Sequence, residues 1–227
     1  MTNHNDLIKV SCVMSTKNRL NFVKKSIQMF NNQTYPNKEL IIVDDSDSPM
    51  NIQASNVKYV YCTKNCSIGN KRNTGISKAT GEVILLWDDD DYHGKDRITN
   101  QLHALLKSKK DGIVYNSCVY YNLPSEILYI FPTKIHNQLW KHGYIAGTLM
   151  FYKHLFSKHG LKYKNKSFRE DILFIEDIVK RGFKIGTLKI PDGDFVYVKH
   201  NNSTMMISHA YAKNKTKVTK KQFYSAL

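Results

Sequence analysis

The sequence is short of arginine, acids, cysteine and long apolar runs, and each shortage excludes something. Only 5 Arg stand against 29 Lys in 227 residues. That is a poor supply of the planar forks that read nucleic-acid bases in pairs of hydrogen bonds, and no recognisable nucleic-acid-binding motif is present. No stretch nears eighteen consecutive apolar residues, and "MTNHNDLIKVSCVMST" at the N-terminus lacks the basic, apolar and small-residue regions of a secretory signal. The expectation is a cytoplasmic protein without a transmembrane segment. Four cysteines, Cys12, Cys62, Cys66 and Cys118, are too few for a disulfide scaffold. Cys62 and Cys66 also lack a second pair of zinc ligands, so reduced thiols are expected. Nineteen acids against 34 Lys and Arg leave a net charge of +15, which favours anionic ligands, from a nucleoside diphosphate to an acidic lipid headgroup. The charge is densest in "YAKNKTKVTKKQFYSAL"; the basic tail, 207–227, fits either a peripheral membrane contact or a homodimer interface.

What is there folds into one domain of ordinary composition, 41% hydrophobic and 23% charged. Periodicity predicts a strand at 7–15, a helix at 19–33 with Leu20, Val23, Ile27 and Phe30 on one face, and strands at 38–46 and 57–63. A helix at 67–81, a strand at 82–87 and a helix at 96–111 through Ile98, Leu102, Leu105 and Leu106 follow. Strands at about 112–122 and 126–131, a helix at 170–182 and a strand at 195–200 complete the pattern. Strands alternating with helices imply βαβ units, hence an α/β fold with a mostly parallel central sheet flanked by helices.

Such sheets bind ligands outside the carboxyl ends of their strands. That places "DDS", after the strand ending at Val43, and "DDDD", after Trp87, on one edge. Four adjacent carboxylates repel one another unless a cation sits among them. Alternate residues of an extended backbone face one side, so an Asp-x-Asp pair suits a hard divalent ion that keeps waters and takes phosphate oxygens. Trp87 reads as a packing residue beside this loop.

Six segments together resemble a family 2 glycosyltransferase with the Rossmann-like GT-A fold, over roughly residues 8–205. They are "VSCVMSTKNR", "QTYPNKELIIVDDSDSP", "SIGNKRNTGISKATGEVILLWDDDDY", "GYIAGTLMFYKHLF", "REDILFIEDIVKRGFKI" and "FVYVKHNNST". The resemblance implies a GT-A domain over 1–206, with a nucleotide-sugar-binding half, 1–110, and an acceptor and catalytic half, 111–206. It implies inverting transfer of a hexosyl or N-acetylhexosaminyl group from a nucleotide sugar, UDP-linked by default, to a glycan, glycolipid or protein acceptor. Mn²⁺ or Mg²⁺ is the implied cofactor.

Site residues follow from the same match. Ser15, Thr16, Arg19, Asp44 and Asp45 resemble the nucleoside pocket, with Asp45 the favoured partner of the base. Asn65, Gly69, Lys71, Arg72 and Asn73 resemble the segment facing the nucleotide: Gly69 would let backbone approach the ligand, and Lys71 and Arg72 would offer cations to phosphate. The implied pattern lays Asp88 and Asp89 near the donor and Asp90, with Asp88, on the metal, completed by His200; a one-residue shift would make Asp89 and Asp91 the pair. Of two Glu-Asp pairs, Glu170–Asp171 and Glu176–Asp177, counting back from Arg181 selects Asp171 as the catalytic base. Residues 201–206 read as a loop closing over the donor, and 146–148 as lying near the acceptor. Two other readings stand beside this one. One is a nucleic-acid-binding or nucleotidyl-transferring protein with metals on the acidic run; the other is a nucleotide-binding relative without activity.

Overall fold

The computed structural model describes residues 8–62, 65–116, 118–131, 144–201, 214–217 and 219. The first half follows the predicted alternation: β1 (Val10–Thr16), α1 (Leu20–Asn31), β2 (Lys38–Asp44), β3 (Val57–Tyr61), α2 (Ile68–Lys78), β4 (Val83–Leu86), the short β5 (Tyr92–His93) and α3 (Arg97–Ser108). There follow β6 (Gly112–Tyr115), β7 (Cys118–Asn122), β8 (Ile127–Phe131), β9 (Ile145–Tyr152), α4 (His154–Ser157), α5 (Glu170–Lys180), β10 (Ile185–Leu188), β11 (Phe195–Lys199) and β12 (Asn214–Lys217).

The central sheet has the order β10-β6-β9-β4-β1-β2-β3. β1 runs parallel to both β2 and β4, with Thr16 opposite Asp44 and Val13 opposite Leu86. Three carboxyl ends thus open on one edge, where Lys17, Asp45 and Asp88 leave the sheet. The strands are apolar on both faces because helices cover both. Val13, Ile41, Val43, Ile84 and Leu86 pack toward α2 and α5, while Cys12, Met14, Leu40, Ile42 and Leu85 pack toward α1 and α3. A second sheet, β12-β8-β7-β11-β5, lies beside the first, so residues 214–217 of the basic tail are built into it against β8.

The structure revises four details. The stretch 112–122 is two strands in different sheets. The β6–β9 ladder shifts register after Ile113 and resumes with Tyr115 opposite Ile145, where the Tyr115 amide donates to Thr148 Oγ1. β9, unpredicted, lies antiparallel between β4 and β6. On α1 the buried face is Val23, Ser26, Met29 and Phe30, with Leu20 exposed, because Ser26 Oγ receives the buried Trp87 indole at 2.8 Å. On α3, Leu106 points to solvent. Among the described residues, no helix is long and apolar enough to cross a membrane.

Candidate active site

Burial alternates along the acidic loop after β4, although residues 89 and 90 form a turn. Asp88 and Asp90 keep 29% and 18% of their side-chain surface open, whereas Asp89 keeps 2%. Asp89 accepts from Thr16 Oγ1 at 2.6 Å and from Arg19 Nη1 at 3.1 Å, which pins the loop to the end of β1. Burial, helped by the neighbouring Asp90 charge, pushes its carboxyl up to about 7. Asp91 is buried and accepts the Val198 amide at 2.9 Å; burial raises its pKa well above the usual carboxylate range. On the open side, Asp90 Oδ2 lies 3.0 Å from Arg19 Nη1 and 2.8 Å from His200 Nε2. Of the two possible registers, the open pair is therefore Asp88 with Asp90, and Asp89 with Asp91 are the underside. Gly147 faces the same place: a Cβ there would come within 2.8 Å of Asp88 Oδ2.

The loop rests on a buried support that sequence reasoning missed. Arg97 is fully buried and donates to the carbonyl of Leu86 at 3.0 Å, to Gln101 Oε1 at 3.0 Å and to His93 Nδ1. With Nδ1 accepting, the neutral His93 ring donates through Nε2 to the Asp88 carbonyl at 2.8 Å. Burial, aided by Arg97, holds the His93 pKa well below its ordinary value, as that tautomer requires. Arg97 also lies 5.3 Å from the Trp87 ring and 5.0 Å from Phe195. The backbone is thus gripped on both sides of Trp87. The available signal was the position of Arg97, four residues before Gln101 on the buried face of α3.

Beside the loop, a cavity of about 570 Å³ opens at the ends of β1 and β2, within the usual size range of small-ligand sites. Its walls include the predicted Ser15, Thr16, Arg19, Asp45, Asn65 and Lys71, and add Lys17, Asn18, Cys66, Ser67, Ile68 and Ser167. Asn18 and Asn65 adopt φ of 55° and 66°, a left-handed turn that asparagine tolerates better than most residues. Ser15 lines the cavity, while its Oγ is itself buried and has no hydrogen-bond partner among the described residues. Lys71 is buried, with its ammonium 2.6 Å from Asp45 Oδ1 and 2.9 Å from the Thr16 carbonyl, so it braces the wall. Asp44 lies behind the cavity, accepting from Tyr59 at 2.6 Å and from the Ser46 amide at 2.9 Å. Gly69 is likewise not in the wall. Its bare face meets the protein's own backbone, since a Cβ would come within 1.9 Å of the Lys164 carbonyl, and this corrects the expected approach to a ligand.

Arg72 links the acidic loop to α5. It is buried, 3.3 Å from Asp88 Oδ1 and 2.6 Å from Glu170 Oε1. Burial opposes its charge, but Asp88, Glu170 and Asp171 outweigh that and raise its pKa. Glu170 and Asp171 open α5, where free N–H groups favour carboxylates, and Asp171 Oδ1 accepts the Ile172 amide at 2.7 Å. The Asp171 charge is felt at Asp88, Arg72 and Tyr163. Asp177, of the rejected pair, forms a surface ion pair with Lys164 at 3.1 Å. Asn73 brackets the Tyr163 backbone, donating to its carbonyl and accepting from its amide, each at 2.9 Å. His200 follows β11, and its ring lies tilted against Phe22 with centroids 4.9 Å apart. The predicted closing loop, beyond Asn201, falls outside the described residues, as does most of the tail.

Among the described residues, no three His, Cys, Asp or Glu side chains form a ready-made metal cage. Open carboxylates such as Asp88 and Asp90 are the ligand type that a hard cation takes together with water and phosphate oxygens.

Known proteins with the same organisation were found by sequence and by structure. A cholesterol galactosyltransferase of Borreliella burgdorferi is 23% identical over 239 aligned positions, covering 93% of this chain and 65% of that protein. An uncharacterized glycosyltransferase of Haemophilus influenzae is 30% identical over 107 residues, 44% of this chain and 43% of that one. The chain thus spans less than two thirds of either relative's length. The crystal structure of S. aureus TarS 1–349 in complex with UDP superposes with a TM-score of 0.67 at 18% identity, over 85% of this chain and 61% of that one. The mannosyltransferase PcManGT of Pyrobaculum calidifontis, in complex with GDP-Man and Mn²⁺, gives 0.62 at 17% identity, over 85% and 56%. These likenesses identify the fold as GT-A. Residues 11–160, from the start of β1 to just past α4, match the model of Glycosyl transferase family 2, and the chain belongs to that family.

Proposed function

We propose that the protein transfers a sugar, with inversion, from a nucleotide sugar to an acceptor hydroxyl on a glycan, glycolipid or protein. The observation that carries the reading is the Arg72 bridge, which joins the open Asp88 to the helix bearing Asp171 beside the cavity. The nucleoside occupies the cavity, of which Ser15 and Asp45 form part of the wall. Uridine is the proposed base. The complex of TarS with UDP supports it, whereas that of PcManGT with GDP-Man leaves guanosine as the competitor to test.

The diphosphate then runs from the cavity across the open face of the acidic loop. Asp90, with Asp88 and His200, would hold Mn²⁺ or Mg²⁺ there, and the cation would neutralise charge on the leaving diphosphate. Asp171 accepts the proton of the acceptor hydroxyl as its oxygen attacks the anomeric carbon from the side opposite the diphosphate. One displacement inverts the configuration, and no covalent intermediate forms. Arg72 and Glu170 keep Asp171 in register with the loop. The free thiols of Cys12, Cys62 and Cys66 fit a reducing compartment, and we place the reaction in the cytoplasm.

The test is thermal stabilisation by nucleoside diphosphates and nucleotide sugars, with and without Mn²⁺, followed by release of UDP from the preferred donor. Stabilisation by UDP that Mn²⁺ enhances supports the reading. Binding to nucleic acid without any response to nucleotides would replace it with a polynucleotide-binding one.

A further inference from the structure

Arg19 is the last residue before α1; it lines the cavity and reaches the acidic loop from there. One of its nitrogens, Nη1, donates to Asp89 Oδ1 at 3.1 Å and to Asp90 Oδ2 at 3.0 Å. An Nη of arginine carries a pair of hydrogens, so both are in use. Asp90 Oδ2 also lies 2.8 Å from His200 Nε2. A carboxylate oxygen offers about two lone pairs, so the protein's own donors occupy this one fully. An open carboxylate of the loop is thus already bound to a cation of the cavity wall.

The other open carboxylate is held differently. Arg72, which faces Asp88 at 3.3 Å, is buried and bound more closely to Glu170, at 2.6 Å. That guanidinium is fixed from the far side. Arg19 keeps 28% of its side-chain surface open, and Asp89 has a second donor in Thr16 Oγ1 at 2.6 Å. Arg19 can therefore leave Asp90 by a small rotation while Nη1 stays on Asp89. A divalent cation at Asp90 meets the charge of Arg19 on the same carboxylate, and like charges so close repel.

We propose that Arg19 competes with the divalent cation for Asp90 and thereby couples metal binding to diphosphate binding. The inference rests on the transferase reading above and adds the dependence of its two ligands on one another. Arg19 yields Asp90 to the cation, keeps Asp89 through the other Nη1 hydrogen, and turns the freed N–H to a phosphate oxygen of the donor, a charge-assisted bond that a guanidinium makes well. Metal alone displaces Arg19 without giving it a new partner, and so binds weakly. A diphosphate arriving with the metal replaces the lost contact. By linkage, UDP strengthens Mn²⁺ binding by the same factor as Mn²⁺ strengthens UDP binding.

The test is direct binding of Mn²⁺ to the full chain, read as loss of the free Mn²⁺ electron paramagnetic resonance signal, with and without UDP. The binding of Mn²⁺ by UDP itself is subtracted, and calorimetry follows UDP in parallel. Arg19→Gln removes the competing charge; Arg19 makes no side-chain cap to α1, so the helix start is left intact. Lys17→Gln is the control. It removes an equal charge from the same cavity wall, where the Lys17 ammonium faces Asp45 at 3.7 Å and Asn65 at 3.5 Å.

Arg19→Gln should bind Mn²⁺ alone about tenfold more tightly than wild type, and the factor by which UDP strengthens Mn²⁺ binding should fall about tenfold. Lys17→Gln should keep the affinity for Mn²⁺ alone within about twofold, because a more distant charge is screened. Unchanged Mn²⁺ binding in Arg19→Gln overturns the proposal, and so does equal tightening in Lys17→Gln, since net charge would then explain it. Wild type supplies a check that needs no variant: Mn²⁺ bound as tightly without UDP as with it overturns the competition. Failure of every form to bind UDP counts against the transferase reading instead, and the comparison of Mn²⁺ alone still reads Arg19.

Discussion

The two faces of the acidic loop are made of the same residue and behave differently. On the underside, Asp89 and Asp91 are buried and hydrogen-bonded to Thr16 and the Val198 amide, above the Arg97–His93 support that grips the backbone. On the open face, Asp88 and Asp90 are held by cations but keep surface for a ligand. An over-determined underside is what keeps two repelling carboxylates aimed the same way. Charge placed on one face is useful because the other face is fixed.

The largest effect should come from the start of α5, which Arg72 ties to the open face. Asp171→Asn should lower transfer by roughly a hundredfold to ten-thousandfold while leaving UDP affinity within about twofold, measured by product formation and calorimetry. Wild-type transfer in that variant would remove Asp171 from the mechanism. The sharpest contrast uses neighbours in the loop. Asp90→Asn should cost about 10²–10³ in rate and abolish the Mn²⁺-dependent gain in nucleotide binding. Asp91→Asn should leave stability within about 1 kcal/mol and transfer within a few-fold, because burial already favours the neutral carboxyl that Asn imitates. Equal rate losses at 90 and 91 would break the two-face distinction.

The underside should announce itself in stability. Arg97→Met leaves the Leu86 carbonyl, Gln101 Oε1 and His93 Nδ1 without their donor, and denaturant unfolding should show a loss of about 2–4 kcal/mol. The smallest effect lies away from the loop, at Glu39. Burial acts to raise its pKa, but hydrogen bonds from Ser11 and Thr80 outweigh it and leave the value lowered. A depressed carboxylate stabilises the fold above its unfolded pKa of about 4.3 and loses that contribution as pH falls through its folded value. Glu39→Gln should therefore be less stable than wild type by about 1 kcal/mol at pH 7, with the gap closing in acid.

Legibility in the sequence tracked locality. Strands and helices of the first half were readable because each buries its own periodic face, as in β2 and α3. β9 was not, since its eight-residue run becomes a strand through insertion between β4 and β6. Ser15, Asn65 and Asp45 were named from the family resemblance, and the structure sets all three in the cavity wall. Glu170, His93 and Arg97 were given no role, because each acts through a partner that the chain alone does not identify.

The sequence by itself determined the α/β alternation, the edge on which the acids gather and the family pattern, all of which rest on spacing along the chain. Tertiary structure alone decided which aspartates face outward. Alternation makes Asp88 with Asp90, or Asp89 with Asp91, equally possible; the choice falls to Thr16 on β1, the Val198 amide on β11 and His93 above Arg97. Burying one pair against those donors leaves the other pair at the surface.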